Sequence, residues 1–308
     1  MKKTILILLV ILVLSLGAEN SSKQLPEIDK LWNYSDPAGT ETEFEKLLSL
    51  VEQDINYKGE LLTQIARAQG LQGKFDEAKA TLAKVEEMLD ETGPKVEARY
   101  YLELGRMYKS SGKAEESREY FEKAWDIAKG NAEMYHAMDA AHMMAIVSEP
   151  DKQLVWALKA IALGENSDDP KVKTWLGPLY NNTGWTYHEK GQYEKALELW
   201  QKGLKLREEA GSLPEIMIAK WTVARAHRSL ENYDKALEMQ NAILEERAEN
   251  NLPPDGYVYE ELGELYLEKG NDELAKENFA RAYELLSQDQ WIMQNEKERM
   301  ARIKELSE

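Results

Sequence analysis

The chain has 308 residues, 43% of them hydrophobic and 31% charged, with 56 acidic against 39 basic side chains and a formal net charge of −17. This composition lies outside the disordered class and supports a packed core, while so acidic a surface repels phosphate backbones and anionic lipid, which argues against nucleic acid as a partner. The absence of cysteine removes disulfides, thiolate metal sites, a cysteine nucleophile and a lipid-bearing cysteine together.

Residues 1–18 carry an address pattern: Lys2 and Lys3, an apolar run over residues 4–16, and a small-residue exit at Ser15, Gly17 and Ala18. The run is shorter than the ~20 residues that span a bilayer. The expectation is a cleaved signal peptide and a periplasmic or secreted protein, with a membrane anchor through residues 4–16 as the alternative. Residues 19–41 read as a polar leader that ends in a turn at Asp36, Pro37, Ala38 and Gly39, with Trp32 and Tyr34 packing over the first unit behind it. A leading helix is predicted from about Thr42, because Phe44, Leu47, Leu48 and Val51 recur at helical spacing.

The stretch 42–286 is governed by internal repetition. One segment reads Tyr101, Leu104, Gly105, Tyr108, then Gly112, then Ser117, Phe121, Ala124. A second repeats the spacing as Tyr180, Thr183, Gly184, Tyr187, then Gly191, then Ala196, Trp200, Gly203. A third does so as Tyr259, Leu262, Gly263, Tyr266, then Gly270, then Ala275, Phe279, Ala282. Weaker copies pass through Ala66, Gly73, Ala78 and Leu82, through Ala141 and Ala160, and through Ala224, Tyr233 and Ala236.

This pattern closely resembles the tetratricopeptide repeat family, a helix-turn-helix unit marked by aromatic-x2-Leu-Gly-x2-Tyr followed by Ala-x3-aromatic. The expected fold is all-α: a right-handed superhelical solenoid of about six such repeats, with a leading helix and, over residues 287–308, a closing helix carrying Met300, Ile303 and Leu306. Small residues are expected to meet where the two helices of a unit cross, Gly105 facing Ser117, Gly184 facing Ala196 and Gly263 facing Ala275, with the aromatics filling the seams between units. The period is long for the family. Ala78, Ser117, Gln153, Ala196, Ala236 and Ala275 stand 36–43 positions apart, against about 34.

The residues point away from chemistry. There is no Gly-rich phosphate loop; His136 and His142, six positions apart, fall on different faces of one helix; and no nucleophile and base lie where the fold would join them. No catalytic residue, metal or cofactor is called for. The resemblance instead implies a groove lined by the first helix of each unit, and the resembling proteins include secreted and periplasmic bacterial ones. The positions expected to face inward are Glu60, Thr63, Arg67 and Gly70; Arg99, Leu102, Arg106 and Lys109; Tyr135, Met138, His142 and Ala145; Pro178, Asn181, Trp185 and His188; and Ile218, Trp221, Arg225 and Arg228. Apart from Glu60, the formally charged members are all basic, in a chain where acids predominate.

The partner-binding set is therefore Arg67, Arg99, Arg106, Lys109, His142, Asn181, Trp185, His188, Trp221, Arg225 and Arg228. The expected function is a non-catalytic interaction scaffold of the cell envelope whose groove holds an acidic or amphipathic peptide of another protein. The alternative is a receptor for a small anion or glycan in the same groove. Neighbouring Glu103 and Asp139 leave open whether the arginines await a partner or form internal salt bridges. Glu260 and Glu264 end the basic run before the sixth unit.

Overall fold

The structure is a computed structural model that describes residues 25–51 and 53–308; the address pattern of residues 1–18 lies outside them. The described residues form helices and turns without a strand. None of these helices is long and apolar enough to cross a membrane.

A single turn of 3-10 helix, Ile28–Leu31, precedes α1 (Pro37–Leu48). The helix begins five residues ahead of the position expected from Phe44 onward, and the stretch read as a turn is its first turn. The cause is local. The Asp36 side chain accepts from Gly39 N at 3.0 Å and Pro37 occupies the first helical position, a combination that starts a helix.

Six helical pairs follow: α2 (Ile55–Leu71) with α3 (Phe75–Glu86), α4 (Pro94–Ser110) with α5 (Ala114–Gly130), α6 (Met134–Val147) with α7 (Pro150–Glu165), α9 (Leu176–Glu189) with α10 (Tyr193–Ala210), α11 (Leu213–Ser229) with α12 (Tyr233–Glu249), and α13 (Gly256–Glu268) with α14 (Asp272–Leu286). Each helix packs on its successor, and first helices of neighbouring units also touch, α2 on α4 and α4 on α6. The four-residue helix α8 (Pro170–Lys173) is inserted between the third and fourth units, which accounts for the widest spacing in the repeat, the 43 positions from Gln153 to Ala196. The chain closes with α15 (Gln290–Asn295) and α16 (Lys297–Leu306), two short helices where one was expected.

Inside a unit the turn between the helices is built the same way five times. Lys74, Lys113, Gln192, Asn232 and Asn271 donate their backbone N–H to the carbonyls of Gln69, Tyr108, Tyr187, His227 and Tyr266 at 2.9–3.0 Å, so orphan carbonyls at the helix end are satisfied. That bond needs a left-handed residue just before the donor. Gly73, Gly112, Gly191 and Gly270 supply it at φ 69–84°, and Glu231 must adopt φ 60°.

At the crossing of the two helices the nearest neighbours of the three motif glycines belong to the aromatic residue 16 positions on, while the small residues 12 positions on, Ser117, Ala196 and Ala275, are buried as well. A Cβ on Gly105 would stand 2.6 Å from Phe121 Cε1, one on Gly263 would stand 2.9 Å from Phe279 Cδ1, and one on Gly184 would overlap the Trp200 indole. The ring packs against the bare backbone, and Phe121, Trp200 and Phe279 are essentially buried. Thus the glycine makes room for a large apolar surface. In the fifth unit Gln240 holds the corresponding place, fully buried, with neither of its side-chain polar atoms hydrogen bonded.

The core runs continuously from Ala98 of the second unit to Val223 and Ala226 of the fifth, including a perpendicular pair of indoles, Trp125 and Trp156, at 5.5 Å. At the far end Ile292, Met300 and Ile303 cover Phe279, Ala282 and Leu286. This polar-backed closure shields the last apolar face from water.

Candidate functional site

The first helices α2, α4, α6, α9, α11 and α13 lie side by side and present one long face. Not every position expected to point outward from it does so: Thr63, Leu102 and Met138 are essentially buried between helices. The remaining positions divide into two kinds of surface.

Toward the N-terminus the face is a chain of ion pairs. Glu103 of α4, whose side chain is 4% exposed, receives Arg67 of the previous unit at 3.3 Å and Arg106 of its own helix at 2.6 Å. Arg106 continues the chain with a two-pronged contact to Asp139 of α6 at 2.5 and 2.6 Å. Burial works against the Asp139 charge, yet Arg106 and Arg67 hold its carboxyl below the ordinary range. Lys109 lines a cavity with Arg67, Glu103, Arg106 and Met143. Arg99 is 5% exposed and is held by Asp29 at 2.7 Å, with Glu60 at 3.6 Å.

The same pairing recurs at the other end. Glu261 of α13 accepts from Arg228 at 2.8 and 3.0 Å and lies 3.2 Å from Arg225. Burial pushes its carboxyl up to about 7, outweighing the opposing pull of Arg228. Glu260 and Glu264, which interrupt the basic run in sequence, pair with Arg299 and Arg302 of α16. Every arginine of the expected set therefore has a carboxylate partner within the chain: Arg67, Arg106, Arg225 and Arg228 meet acids on the next first helix, and Arg99 meets Asp29 of the N-terminal segment and Glu60 of the preceding first helix.

From α9 onward the face also carries a row of aromatics, set in α11 and α13 on the turns that precede Arg225, Arg228 and Glu261. Trp185 of α9, Trp221 of α11 and Tyr257 of α13 stand 36 positions apart, with ring centroids 6.2 Å and then 6.3 Å apart and planes inclined at 39° and 77°. They occupy successively earlier turns of their helices, so the row runs diagonally across the face. Trp185 rests on Trp200 at 4.9 Å, and Trp221 Nε1 donates to the Tyr257 carbonyl at 3.2 Å. Ile218 and Tyr257 beside them are 56% and 39% exposed. Asn181 donates to the Asn182 side chain at 3.0 Å.

His188 is wedged among Trp185, Tyr193 and Trp200, with Nε2 2.7 Å from Ser229 Oγ. Burial and nearby Arg228 lower its pKa. His142 lies apart from this row, against Trp175 at 5.2 Å; burial lowers its pKa too. Among the described residues no group of three or more ligating side chains forms a metal site.

The structure brings Trp185, His188 and Trp221 together on one face and adds Tyr257 to them, while Trp175 stands apart against His142; neither Tyr257 nor Trp175 is in the expected set. Tyr257 had a usable signal in the even spacing from Trp185 through Trp221. Trp175 had none, because it precedes α9 on the connection that α8 introduces.

Models of the tetratricopeptide repeat match residues 98–131, 177–210 and 257–287, the helix pairs α4–α5, α9–α10 and α13–α14. The chain is a tetratricopeptide-repeat protein.

Solved structures share the repeat architecture. The apo form of RapI is similar with a TM-score of 0.65 and 13% identity, over 85% of this chain and 76% of that one. The C-terminal part of a TPR repeat-containing protein from Cytophaga hutchinsonii gives 0.56 and 16%, over 87% and 97%. BtubC from P. vanneervenii gives 0.55 and 15%, over 75% and 95%. At such identities the likeness is one of fold. No curated protein sequence matches the chain. Within this tetratricopeptide-repeat protein, the units matched by the family models are those in which the motif glycine faces a buried aromatic ring.

Proposed function

We propose that the protein is a non-catalytic interaction scaffold that holds an extended amphipathic peptide segment of another protein on its first-helix face. The observation that carries this reading is the diagonal row Trp185, Trp221 and Tyr257, whose centroids are 6.2 and 6.3 Å apart. Alternate side chains of an extended peptide recur at about 6.6 Å, so every second residue of the segment, the apolar one, meets a ring. Ion pairs beside the row, Arg228–Glu261 on later turns of α11 and α13 and Arg106–Asp139 toward the N-terminus, offer polar edges to the outward-facing residues of such a segment.

Because the arginines are already paired, a free cationic track for a purely acidic peptide or small anion is less well supported than an amphipathic one. A glycan receptor is also less favoured, since the rings are inclined to one another and form no flat platform for sugar faces.

Export to the cell envelope belongs to the same proposal and rests on the pattern of residues 1–18. N-terminal sequencing of the protein isolated from its native cells tests it, with a start near residue 18 expected and an intact Met1 or Lys2 opposing it.

The direct test of binding is selection of extended peptides from a displayed random library on the full-length chain. Alternating apolar residues are expected among the captured sequences, with capture lost in Trp185→Ala/Trp221→Ala although helicity is kept. Capture unchanged by that double substitution overturns the reading.

A further inference from the structure

Residues 25–36 do not trail away from the array; they lie across its first-helix face. Ile28 is buried against Phe44, Leu61 and Ile65. The Tyr57 hydroxyl donates to the Pro26 carbonyl at 3.0 Å. Trp32 Nε1 donates to Gln64 Oε1 at 2.9 Å, Tyr34 stacks on Trp32 at 4.7 Å, and the Arg67 guanidinium lies 5.9 and 5.7 Å from the two ring centroids. Asp29 then reaches across units, accepting from Arg99 Nη2 of α4 at 2.7 Å and from Lys171 Nζ of α8 at 2.5 Å. Burial opposes its charge, but Arg99 and Lys171 hold the carboxyl well below the ordinary range.

This is how a peptide sits on such a face: one carboxylate clamped by two cations, an aliphatic residue in a pocket, and two stacked rings beneath a guanidinium. The hold is slight. In residues 25–36 only Ile28 is buried, and Tyr34 is 61% exposed, so local opening is inexpensive. Arg99, in contrast, is a buried cation whose close partner is this segment's carboxylate.

Resting on the reading of this face as peptide-binding, we infer that Gln64, Arg67, Arg99 and Lys171 form a site for a segment combining a carboxylate with aliphatic and aromatic residues. Residues 26–34 of the chain are its resident occupant, and a partner segment of the same chemistry that binds more tightly than they do displaces them.

The test uses the full-length chain and a fluorescent synthetic peptide of residues 25–36, followed by anisotropy. A tethered segment has an effective concentration on the order of millimolar, so the wild type should not capture peptide supplied at micromolar concentration. Asp29→Ala/Trp32→Ala, which weakens the resident segment, should capture it, and adding Arg99→Ala should weaken that capture at least about tenfold. Capture by the wild type equal to that of the double variant overturns the inference, as does a folded double variant that ignores the peptide. Where the double variant does not fold, Asp29→Asn is read by hydrogen exchange. Faster exchange confined to residues 28–34 is expected, and unchanged exchange there overturns the inference. A negative result leaves the row of Trp185, Trp221 and Tyr257 untouched, because that reading is decided by separate substitutions and a different peptide set.

Discussion

Gly184 and Trp200, 16 positions apart on paired helices, touch so closely that a methyl group on the glycine would overlap the indole. The indole Nε1 also donates to the Asn181 carbonyl at 3.2 Å, which pins the ring to the backbone it covers. A glycine inside a helix ordinarily costs about 0.5–1 kcal/mol relative to alanine; here the ring contact reverses that preference.

Gly184→Ala should accordingly destabilise the protein by about 1–3 kcal/mol through overpacking, measured as a lower urea midpoint. A midpoint equal to or above that of the wild type would mean that Trp200 swings away freely.

The fifth unit has two local faults that substitution should relieve. Gln240→Leu removes buried, unbonded amide atoms and is expected to stabilise by about 1–3 kcal/mol. Glu231→Gly releases a side chain from φ 60° and should add about 1 kcal/mol. Thermal unfolding of the two single variants and the combined one checks both. The effects should nearly add, since one acts in the turn and the other in the core.

Glu103 is the shared acid of Arg67 and Arg106, and it is nearly inaccessible to water. Replacing it by alanine leaves two guanidinium groups short of a partner and should cost about 3 kcal/mol. Glu119→Ala, which removes an exposed pair with Lys123, should change stability by less than about 0.5 kcal/mol. Equal effects from the two would show that the ion-pair chain is solvated and weak.

His136 is 5% exposed, and neither of its ring nitrogens is hydrogen bonded. Burial, reinforced by Arg99 and Lys95 and opposed by Asp139 and Asp29, lowers its pKa from 6.5 to about 3. Below pH 6.5 the unfolded chain therefore takes up a proton that the folded chain refuses. This contribution to stability is complete above pH 6.5 and falls away as the pH drops toward 3, by up to on the order of 5 kcal/mol. His136→Leu should reduce the difference between urea midpoints at pH 7.5 and pH 4.5. An unchanged difference would assign the acid sensitivity to other groups, His142, His188 and His227 among them, whose pKa values burial also lowers.

Much of this architecture is legible in the residues, because its rules are local. Gly73, Gly112, Gly191 and Gly270 mark the turns by their freedom at positive φ, and the recurrence of Gly105, Gly184 and Gly263 sets the phase of the helix pairs. Even the misread start of α1 was available, since Asp36 and Pro37 form a helix-start signal that the later apolar run drew attention away from.

What the amino-acid sequence determined by itself is the repeat, its helix pairs and the face on which Trp185 and Trp221 belong, since helical periodicity and turn chemistry act over a few residues. Only the tertiary structure decided which charges meet. Arg67 finds Glu103 across 36 positions and Asp29 finds Lys171 across 142. The physical reason is geometric: the stacking of successive units sets the separation of side chains on different helices, and no local spacing encodes it. A row that reads as basic along the chain is, in space, largely neutralised by acids on neighbouring helices and the N-terminal segment, and the apolar row from Trp185 to Tyr257 lies beside the ion pairs.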